Sequence, residues 1–340
     1  MKKILFVLLL LFFSSLSADA ITNTDSSYIV MEATTNRVLE GKDIHKQYLI
    51  ASTAKILTAI TAIENYKLEE EIVVTKADTL EVGSKVYLKE NEKLKRVDLL
   101  YALMLRSAND AASALSQNNS EKFISQMNET AKKIGMKNSV FVNASGLDEK
   151  EYNLSTAYDM ALLSTYVSKN SIFKEIASAH DYSCRTKESN YVWHNKHKLV
   201  TSKNDFLWGK TGYTKKSKRI LVSNFVTDEK DLVVVTINDS NDWNHHQQLV
   251  SNTEKYHFIN VFKKGVYDTK QDVTYYLYVP KDITIPVLKS EKENVKLIFK
   301  LFKDSARLEI YLNDVLVVNR QIEVYNKETF DLDLVIESFQ

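Results

Sequence analysis

The hydrophobic pattern of the first half of the chain predicts a short hairpin followed by several buried helices. Residues 28–40 contain two apolar runs on either side of the polar segment 34–37, which is typical of a β-hairpin. Further on, Ile56, Ile60 and Ile63 recur at spacings of four and three, the period of a helix with a buried face. The same periodicity predicts further helices over 97–115, 120–135 and 156–168.

The following part of the chain is richer in β-forming residues. Two such segments, 219–226 and 232–237, are joined by a polar loop, and a later apolar pattern predicts a helix over 244–263. Strands near both ends with helices between them indicate an α+β domain whose terminal segments share one sheet. We assign residues 21–264 to this domain.

Beyond residue 264 short alternating runs predict a small all-β domain over 265–340. The predicted strands are 273–279, 295–301, 306–312, 315–318, 321–325 and 330–337. Asn313 and Asp314 form a candidate tight turn between two of them. No residue of this domain suggests a catalytic role.

The first twenty residues form a separate unit. Lys2 and Lys3 precede an apolar run over 4–13, and the unit ends on the small-residue pattern of residues 18–20. A charged start, a short apolar run and an A-x-A pattern predict a secretory signal peptide over 1–20. The alternative is an uncleaved N-terminal anchor, but the run is short for a bilayer core of about 30 Å. We therefore expect an exported protein with no transmembrane anchor in the mature chain.

Composition and charge narrow the class of protein. With 44% hydrophobic and 26% charged residues, the chain is typical of a globular protein. Its 45 basic and 44 acidic side chains nearly cancel, so we expect no nucleic-acid partner. Cys184 is the only cysteine, which excludes an intrachain disulfide and favours a small, mostly buried apolar role.

A serine and a lysine one helical turn apart mark the start of the first predicted helix. Ser52 and Lys55 lie on one face, where the amine can take the hydroxyl proton and the positive helix end favours the developing alkoxide. The motif is weak by itself, because Ser52 could equally be a helix N-cap. Ser171 and Lys174 also have the same spacing.

Two further motifs follow along the chain. Ser107-Ala108-Asn109 ends an apolar helix, although the same S-x-N pattern begins at Ser116, Ser168 and Ser202. Lys210-Thr211-Gly212 occurs once, directly before the β-rich pair, and can form an edge strand along a cleft. Such a strand offers a cation, a hydroxyl and a glycine that lets a substrate backbone approach closely.

Taken in this order, S-x-x-K, S-x-N and K-T-G resemble the signature set of the low-molecular-mass penicillin-binding proteins that act as serine D-alanyl-D-alanine carboxypeptidases. The likeness covers residues 28–250. Matching segments outside the three motifs are 83–84, 99–101, 110–112, 135–136, 143–148, 155–159, 213–214 and 242–243. The resemblance implies an α+β fold of the penicillin-binding and β-lactamase type, with an antiparallel sheet and a helical cluster, followed by the small β-domain. It also implies a location that is extracellular or on the outer face of the bacterial cytoplasmic membrane.

The resemblance implies a site and a reaction as well. The catalytic residues would be Ser52, Lys55, Ser107 and Asn109. The substrate-binding residues would be Lys210, Thr211, Gly212 and Tyr213. The substrate would be a peptidoglycan stem peptide ending in D-Ala-D-Ala, with β-lactams as covalent inhibitors. Asn109 would hold the peptide backbone, and no metal or other cofactor is implied.

Three single residues and one pair depart from the family pattern. Ile50 stands where proline is usual, Asn36 replaces a turn glycine, and His197 stands where asparagine is common. Ser217-Lys218 replaces a small-glycine pair after K-T-G. The last two departures bear on the shape of the cleft and the choice of substrate rather than on the chemistry.

Several different functions stay open from the sequence. A class A β-lactamase would carry S-D-N and a deacylating glutamate, whereas residue 108 is alanine and Glu149 and Glu151 lie in a different context. A zinc peptidase could draw on His194 and His197 or on residues 245–246, but no H-E-x-x-H motif is present. A protein that only binds wall peptides or drugs is also compatible with the sequence, and so is an endopeptidase.

Overall fold

The computed structural model describes residues 23–148, 152–227, 230–268, 275–280, 282–302 and 305–326. The predicted signal peptide over 1–20 and the predicted strand over 330–337 lie outside these residues. Within the described ranges, no helix is long and apolar enough to cross a bilayer.

The first part of the described chain alternates between strands and helices. The strands are β1 (Ser27–Glu32), β2 (Val38–Lys42), β3 (Tyr48–Leu49), β4 (Glu71–Val73), β5 (Lys93–Lys95), β6 (Leu154–Ser155), β7 (Asp181–Arg185), β8 (Asn190–His194), β9 (Phe206–Thr214), β10 (Lys218–Val226) and β11 (Asp231–Ile237). The helices are α1 (Lys55–Asn65), α2 (Lys76–Leu80), α3 (Arg96–Arg106), α4 (Asn109–Leu115), α5 (Glu121–Ile134), α6 (Ala157–Val167), α7 (Ser171–Ser178), α8 (Lys198–Ser202) and α9 (Asp242–Ser251).

A five-stranded antiparallel sheet in the order β2-β1-β11-β10-β9 organises this part of the chain. Strand β11 lies at the centre, because residues 232–237 are apolar or small and are buried on both faces. One face of the sheet packs against the buried side chains of α1 and α3 to α7, and the other packs against α8 and α9. The N-terminal hairpin and the late strands therefore share one sheet, which confirms the predicted α+β architecture.

The helix predicted over 97–115 is wrong as a single element. Helix α3 ends at Arg106, and Ser107 follows with φ 60° and ψ 35°. A residue in this left-handed region cannot continue a right-handed helix, so α4 begins separately at Asn109. The predicted helices near 120–135 and 156–168 are confirmed as α5 and α6.

The C-terminal part of the described chain is all β. Its strands are β12 (His257–Phe262), β13 (Gly265–Asp268), β14 (Tyr275–Val279), β15 (Ile283–Val287), β16 (Val295–Phe302), β17 (Ser305–Leu312) and β18 (Val315–Asn326). The sheet order is β13-β14-β18-β17-β16, with β12 and β15 paired separately. The segments 315–318 and 321–325 are one strand, and the turn at Asn313 and Asp314 is confirmed by φ values of 51° and 60°.

The helix predicted over 244–263 is also wrong beyond Ser251. A short 3₁₀ turn follows α9, and residues 257–262 then form β12. These residues mix aromatic and β-branched side chains, which favour a strand, and β12 pairs with β15. The Arg37 guanidinium, from the turn between β1 and β2, lies 3.0 Å from the Glu291 carboxylate and so ties the two parts of the chain together.

Candidate active site

The first core helix carries a serine and a lysine at its start. A 3₁₀ turn over Ala51–Ala54 leads into α1, whose first residue is Lys55. The Nζ atom of Lys55 lies 3.2 Å from the Oγ atom of Ser52. The N-cap of the 3₁₀ turn is Ile50 and the N-cap of α1 is Ala54. Ser52 is therefore not a helix N-cap.

Two acceptors, one a side-chain amide and one a backbone carbonyl, hold the amine of Lys55. Its Nζ atom donates to the Oδ1 atom of Asn109 at 2.6 Å and to the carbonyl oxygen of Ser145. Lys55 is completely buried. Burial disfavours the ammonium form and lowers the pKa of Lys55 to about 7, although the negative charges of Glu81 and Asp110 act in the opposite direction.

The amide of Asn109 is oriented by the segment that precedes β5. Its Nδ2 atom donates to the carbonyl oxygen of Val82 at 2.6 Å, and its backbone N–H donates to the carbonyl oxygen of Ser84 at 2.7 Å. Because Nδ2 faces a carbonyl, Oδ1 must face Lys55. Gly83 lies close by with φ +80°, and a Cβ atom there would come within 3.0 Å of Nδ2.

Asp110 supports this arrangement and was not singled out for a role from the sequence. Its buried carboxylate accepts hydrogen bonds from the backbone N–H groups of Val86 at 3.1 Å and Leu88 at 3.2 Å. Burial raises the pKa of Asp110, while these hydrogen bonds oppose the rise. The carboxylate therefore fixes residues 86–88 against the start of α4, next to the part of the segment that Asn109 holds.

Lys210 reaches the same centre from the edge strand. Its Nζ atom lies 2.8 Å from the Oγ atom of Ser107 and 2.8 Å from the carbonyl oxygen of Thr211. The left-handed conformation of Ser107 ends α3 here and leaves this hydroxyl beside Lys210. Burial first, and then the positive charges of Lys55 and Lys196, hold the pKa of Lys210 well below its usual range.

Two glycines bring the backbone segments around Ser52 together. A Cβ atom on Gly212 would lie 3.3 Å from the backbone nitrogen of Ser52, so β9 runs directly beside the serine. Gly146, with φ +82°, approaches from another side, and a Cβ atom there would lie 1.9 Å from the carbonyl oxygen of Ala51. Gly146 therefore cannot carry a side chain, whereas a Cβ at Gly212 would make tight contacts that require its neighbours to shift slightly.

The structure thus brings together the residues that the three motifs predicted. Ser52, Lys55 and Asn109 form one set of contacts, and Ser107 and Lys210 form another. The two sets lie side by side, because β9 passes Ser52 at Gly212 and α4 begins two residues after Ser107. The rest of the K-T-G segment continues along β9, at the edge of the sheet, where Thr211 is half-buried and Tyr213 is 64% exposed.

The histidines of the zinc alternative contact different groups and do not converge on one point. His194 is exposed and pairs with Asp181, whereas His197 is buried beneath β9 and β10. His245 contacts Asp239 at 2.6 Å, and the adjacent residue 246 is buried against the sheet. Across the described ranges, no three His, Cys, Asp or Glu side chains are grouped as a metal site.

Comparison with known proteins identifies the family. The family model described as D-alanyl-D-alanine carboxypeptidase matches residues 15–241. This match covers more than half of the 340 residues, and the chain belongs to the D-alanyl-D-alanine carboxypeptidase family.

Curated relatives match over part of their length. The D-alanyl-D-alanine carboxypeptidase DacF of Bacillus subtilis is 29% identical over 206 residues, which are 58% of this chain and 53% of that protein. A D-alanyl-D-alanine endopeptidase of Haemophilus influenzae is 35% identical over 203 residues, which are 58% of this chain and 68% of that protein. The matched part of this chain therefore spans about half to two thirds of these relatives.

Solved structures support the fold. Penicillin binding protein 5 from Haemophilus influenzae superimposes with a TM-score of 0.72 at 20% identity, covering 90% of this chain and 97% of that one. The D-alanyl-D-alanine carboxypeptidase DacD from Francisella tularensis gives a TM-score of 0.67 at 19% identity, covering 90% of this chain and 94% of that one. The predicted fold class, an α+β domain of this type followed by a β-domain, is confirmed.

Proposed function

We propose that this chain is an exported serine D-alanyl-D-alanine carboxypeptidase, which removes the terminal D-alanine of peptidoglycan stem peptides through an acyl-enzyme on Ser52. β-Lactams would acylate the same serine. The observation that carries the proposal is the contact between Ser52 and a completely buried Lys55, whose pKa is lowered to about 7.

The hydrogen bonds around Lys55 suit a neutral amine. A neutral amine has two N–H donors and one lone pair. The Oδ1 atom of Asn109 and the carbonyl oxygen of Ser145 can only accept, so they take the two hydrogens. The lone pair is then left for the hydroxyl of Ser52, which donates its proton as Oγ attacks the carbonyl carbon of the penultimate D-alanine.

The developing oxyanion would be held by the backbone N–H groups of Ser52 and Tyr213. Strand β9 passes close to Ser52, since a Cβ atom on Gly212 would lie 3.3 Å from the backbone nitrogen of Ser52. This close approach supports a shared oxyanion hole. One donor of this kind is typically worth about 3–4 kcal/mol of the barrier.

Lys210 and Thr211 would bind the terminal carboxylate of the substrate. An anion beside Lys210 favours its charged form, and that charge in turn disfavours a second cation at Lys55. Substrate binding would therefore promote the neutral state of the base. Ser107, which lies 2.8 Å from Lys210, would relay a proton to the departing D-alanine amine. Water then hydrolyses the ester on Ser52 and releases the shortened peptide.

We assign Asn109 to the orientation of Lys55. The resemblance implied that this residue holds the peptide backbone. Both ends of its amide are engaged within the protein, however, at 2.6 Å to Lys55 and 2.6 Å to the carbonyl oxygen of Val82.

Endopeptidase and β-lactamase activities are the alternatives to carboxypeptidase activity, and export is a separate part of the proposal. The 35% identical relative is named an endopeptidase, which favours cleavage of cross-linked peptides as a second candidate function. Export is supported by the charged and apolar pattern of residues 1–20. A β-lactamase would turn over nitrocefin rapidly, whereas slow turnover is expected of a penicillin-binding peptidase.

Mass spectrometry of a pentapeptide ending in D-Ala-D-Ala tests the proposal. After incubation with the mature protein we expect the loss of one alanine, no effect of a metal chelator, and no reaction with Ser52→Ala. A cross-linked dimeric peptide in the same experiment measures the endopeptidase activity. An intact pentapeptide, or equal cleavage by the Ser52→Ala variant, would refute the proposed function.

A further inference from the structure

A buried histidine lies directly behind the strand that carries Lys210. His197 is only 2% exposed and packs on the face of the sheet that is covered by α8 and α9. Its ring lies against Gly209, because a Cβ atom there would come within 2.2 Å of the Nε2 atom. Gly209 immediately precedes Lys210, and successive residues of a strand face opposite sides. His197 therefore contacts β9 from the side opposite to Lys210.

The hydrogen bonds of His197 fix its tautomer and its position. The backbone N–H of Val200 donates to Nδ1 at 3.3 Å, so the ring proton resides on Nε2. Nε2 lies 3.1 Å from the carbonyl oxygen of Val222 and 3.2 Å from the Oγ atom of Ser223. Val222 and Ser223 are the register partners of Lys210 and Gly209. The imidazole thus connects α8 to the two strands at the point where Lys210 is held.

The contacts continue into the sheet as a buried chain of four side chains, His197, Ser223, His246 and Thr236. The Oγ atom of Ser223 lies 2.9 Å from Nδ1 of His246, and Nε2 of His246 lies 3.0 Å from Oγ1 of Thr236. With both rings uncharged, Nε2–H of His197 can donate to the carbonyl oxygen of Val222, the hydroxyl of Ser223 to Nδ1 of His246, and Nε2–H of His246 to Oγ1 of Thr236. Burial lowers the pKa of His197 to about 3 and that of His246 well below its usual range, which maintains that state.

We propose that His197 is a positioning residue for the peptidase reaction, which fixes β9 at Gly209 so that the amine of Lys210 meets Ser107 and the substrate carboxylate. The inference rests on the proposed function, because that function assigns Lys210 to the carboxylate. Asparagine at this position would keep the cap of α8 but would be too short to reach Val222. The substitution would therefore remove the contact between His197 and Val222 and leave the cap of α8 in place.

His197→Asn tests the proposal, with the exposed His194→Asn as its matched control. We measure the second-order rate of acylation by a fluorescent penicillin per titrated active site, together with amide hydrogen exchange. We expect acylation to fall 10- to 100-fold in His197→Asn, with all sites titrated eventually, and amides of residues 206–214 to exchange at least tenfold faster. Amides of α1 should be unchanged, and His194→Asn should stay within twofold of wild type in both measurements.

Acylation at the wild-type rate, or unchanged exchange in β9, would overturn the proposal. Equally faster exchange in α1 and β9 would overturn it too, because that outcome indicates a general structural role. If the wild-type protein takes no penicillin, the proposed function fails, and the exchange comparison alone decides whether His197 holds β9. His246→Asn provides a second variant, with its neighbour His245→Asn as control. It should speed amide exchange in β9 by a smaller factor than His197→Asn does.

Discussion

Acylation of Ser52 should depend on pH through the amine of Lys55. Only the neutral amine can accept the hydroxyl proton, and burial lowers its pKa from 10.5 to about 7. This lowering corresponds to about 5 kcal/mol against the ammonium form. The neutral fraction is then about nine tenths at pH 8 and about one hundredth at pH 5. Acidification from pH 8 to pH 5 should therefore slow acylation about 100-fold.

The assay is the second-order rate of acylation by a fluorescent penicillin, measured in stopped flow from pH 5 to pH 10. Circular dichroism at each pH confirms that the protein stays folded. Glu81→Gln tests the assignment, since the negative charge of Glu81 raises the pKa of Lys55. Its removal should move the midpoint to lower pH and make the variant faster than wild type at pH 5 to 6. Glu90→Gln is the control, because Glu90 is an exposed acidic residue nine positions further along the chain.

A lysine with its ordinary pKa would give a different profile, because its rate would still rise tenfold per pH unit above pH 9. Such a profile, or a rate that is flat between pH 5 and pH 8, would refute the assignment of Lys55 as the base. An upward shift of the midpoint in Glu81→Gln would contradict the electrostatic explanation.

Three further predictions concern packing and stability. Gly146→Ala should abolish labelling by a fluorescent penicillin on a gel, since its Cβ would lie 1.9 Å from the carbonyl oxygen of Ala51. The control Gly135→Ala, whose Cβ would have nothing within 4 Å, should still be labelled. Equal labelling of the two variants would contradict this prediction. Arg37→Ala should lower the free energy of unfolding by about 1–3 kcal/mol in urea, because the Glu291 carboxylate loses a partner at 3.0 Å; an unchanged midpoint would count against the ion pair. Stability should also fall between pH 6.5 and pH 4, since His197 binds a proton below about 6.5 when unfolded but only near 3 when folded. The loss is up to about 3 kcal/mol at pH 4, and urea melts should show a smaller difference in His197→Asn.

Periodicity predicted the elements whose side chains alternate clearly between core and solvent. It failed at Ser107, because the flanking residues are apolar on both sides and the left-handed turn is stabilised by a distant partner, Lys210. It failed again after Ser251, where residues 257–262 are compatible with helix or strand and the pairing with β15 decides. The hairpin of β7 and β8 was not predicted at all.

The parts of the candidate site that were predictable are the side chains of the three sequence motifs, such as Ser52, Lys55 and Lys210. The carbonyl oxygens of Ser145 and Val82, which orient Lys55 and Asn109, have no signal in the sequence because any residue supplies a carbonyl. Where a backbone segment packs closely against the site, the only sign of it in the sequence is a glycine, as at Gly83 beside Asn109 and at Gly146 beside Ala51.

The position of a covalent penicillin on the chain tests most directly whether Ser52 is the nucleophile of one assembled site. Trypsin should release residues 47–55 as one peptide, because Lys46 and Lys55 flank it. We predict a single penicilloyl group on this peptide, assigned to Ser52 by fragmentation, and none in Ser52→Ala. An adduct on another peptide, or an unmodified wild-type protein, would contradict the assignment.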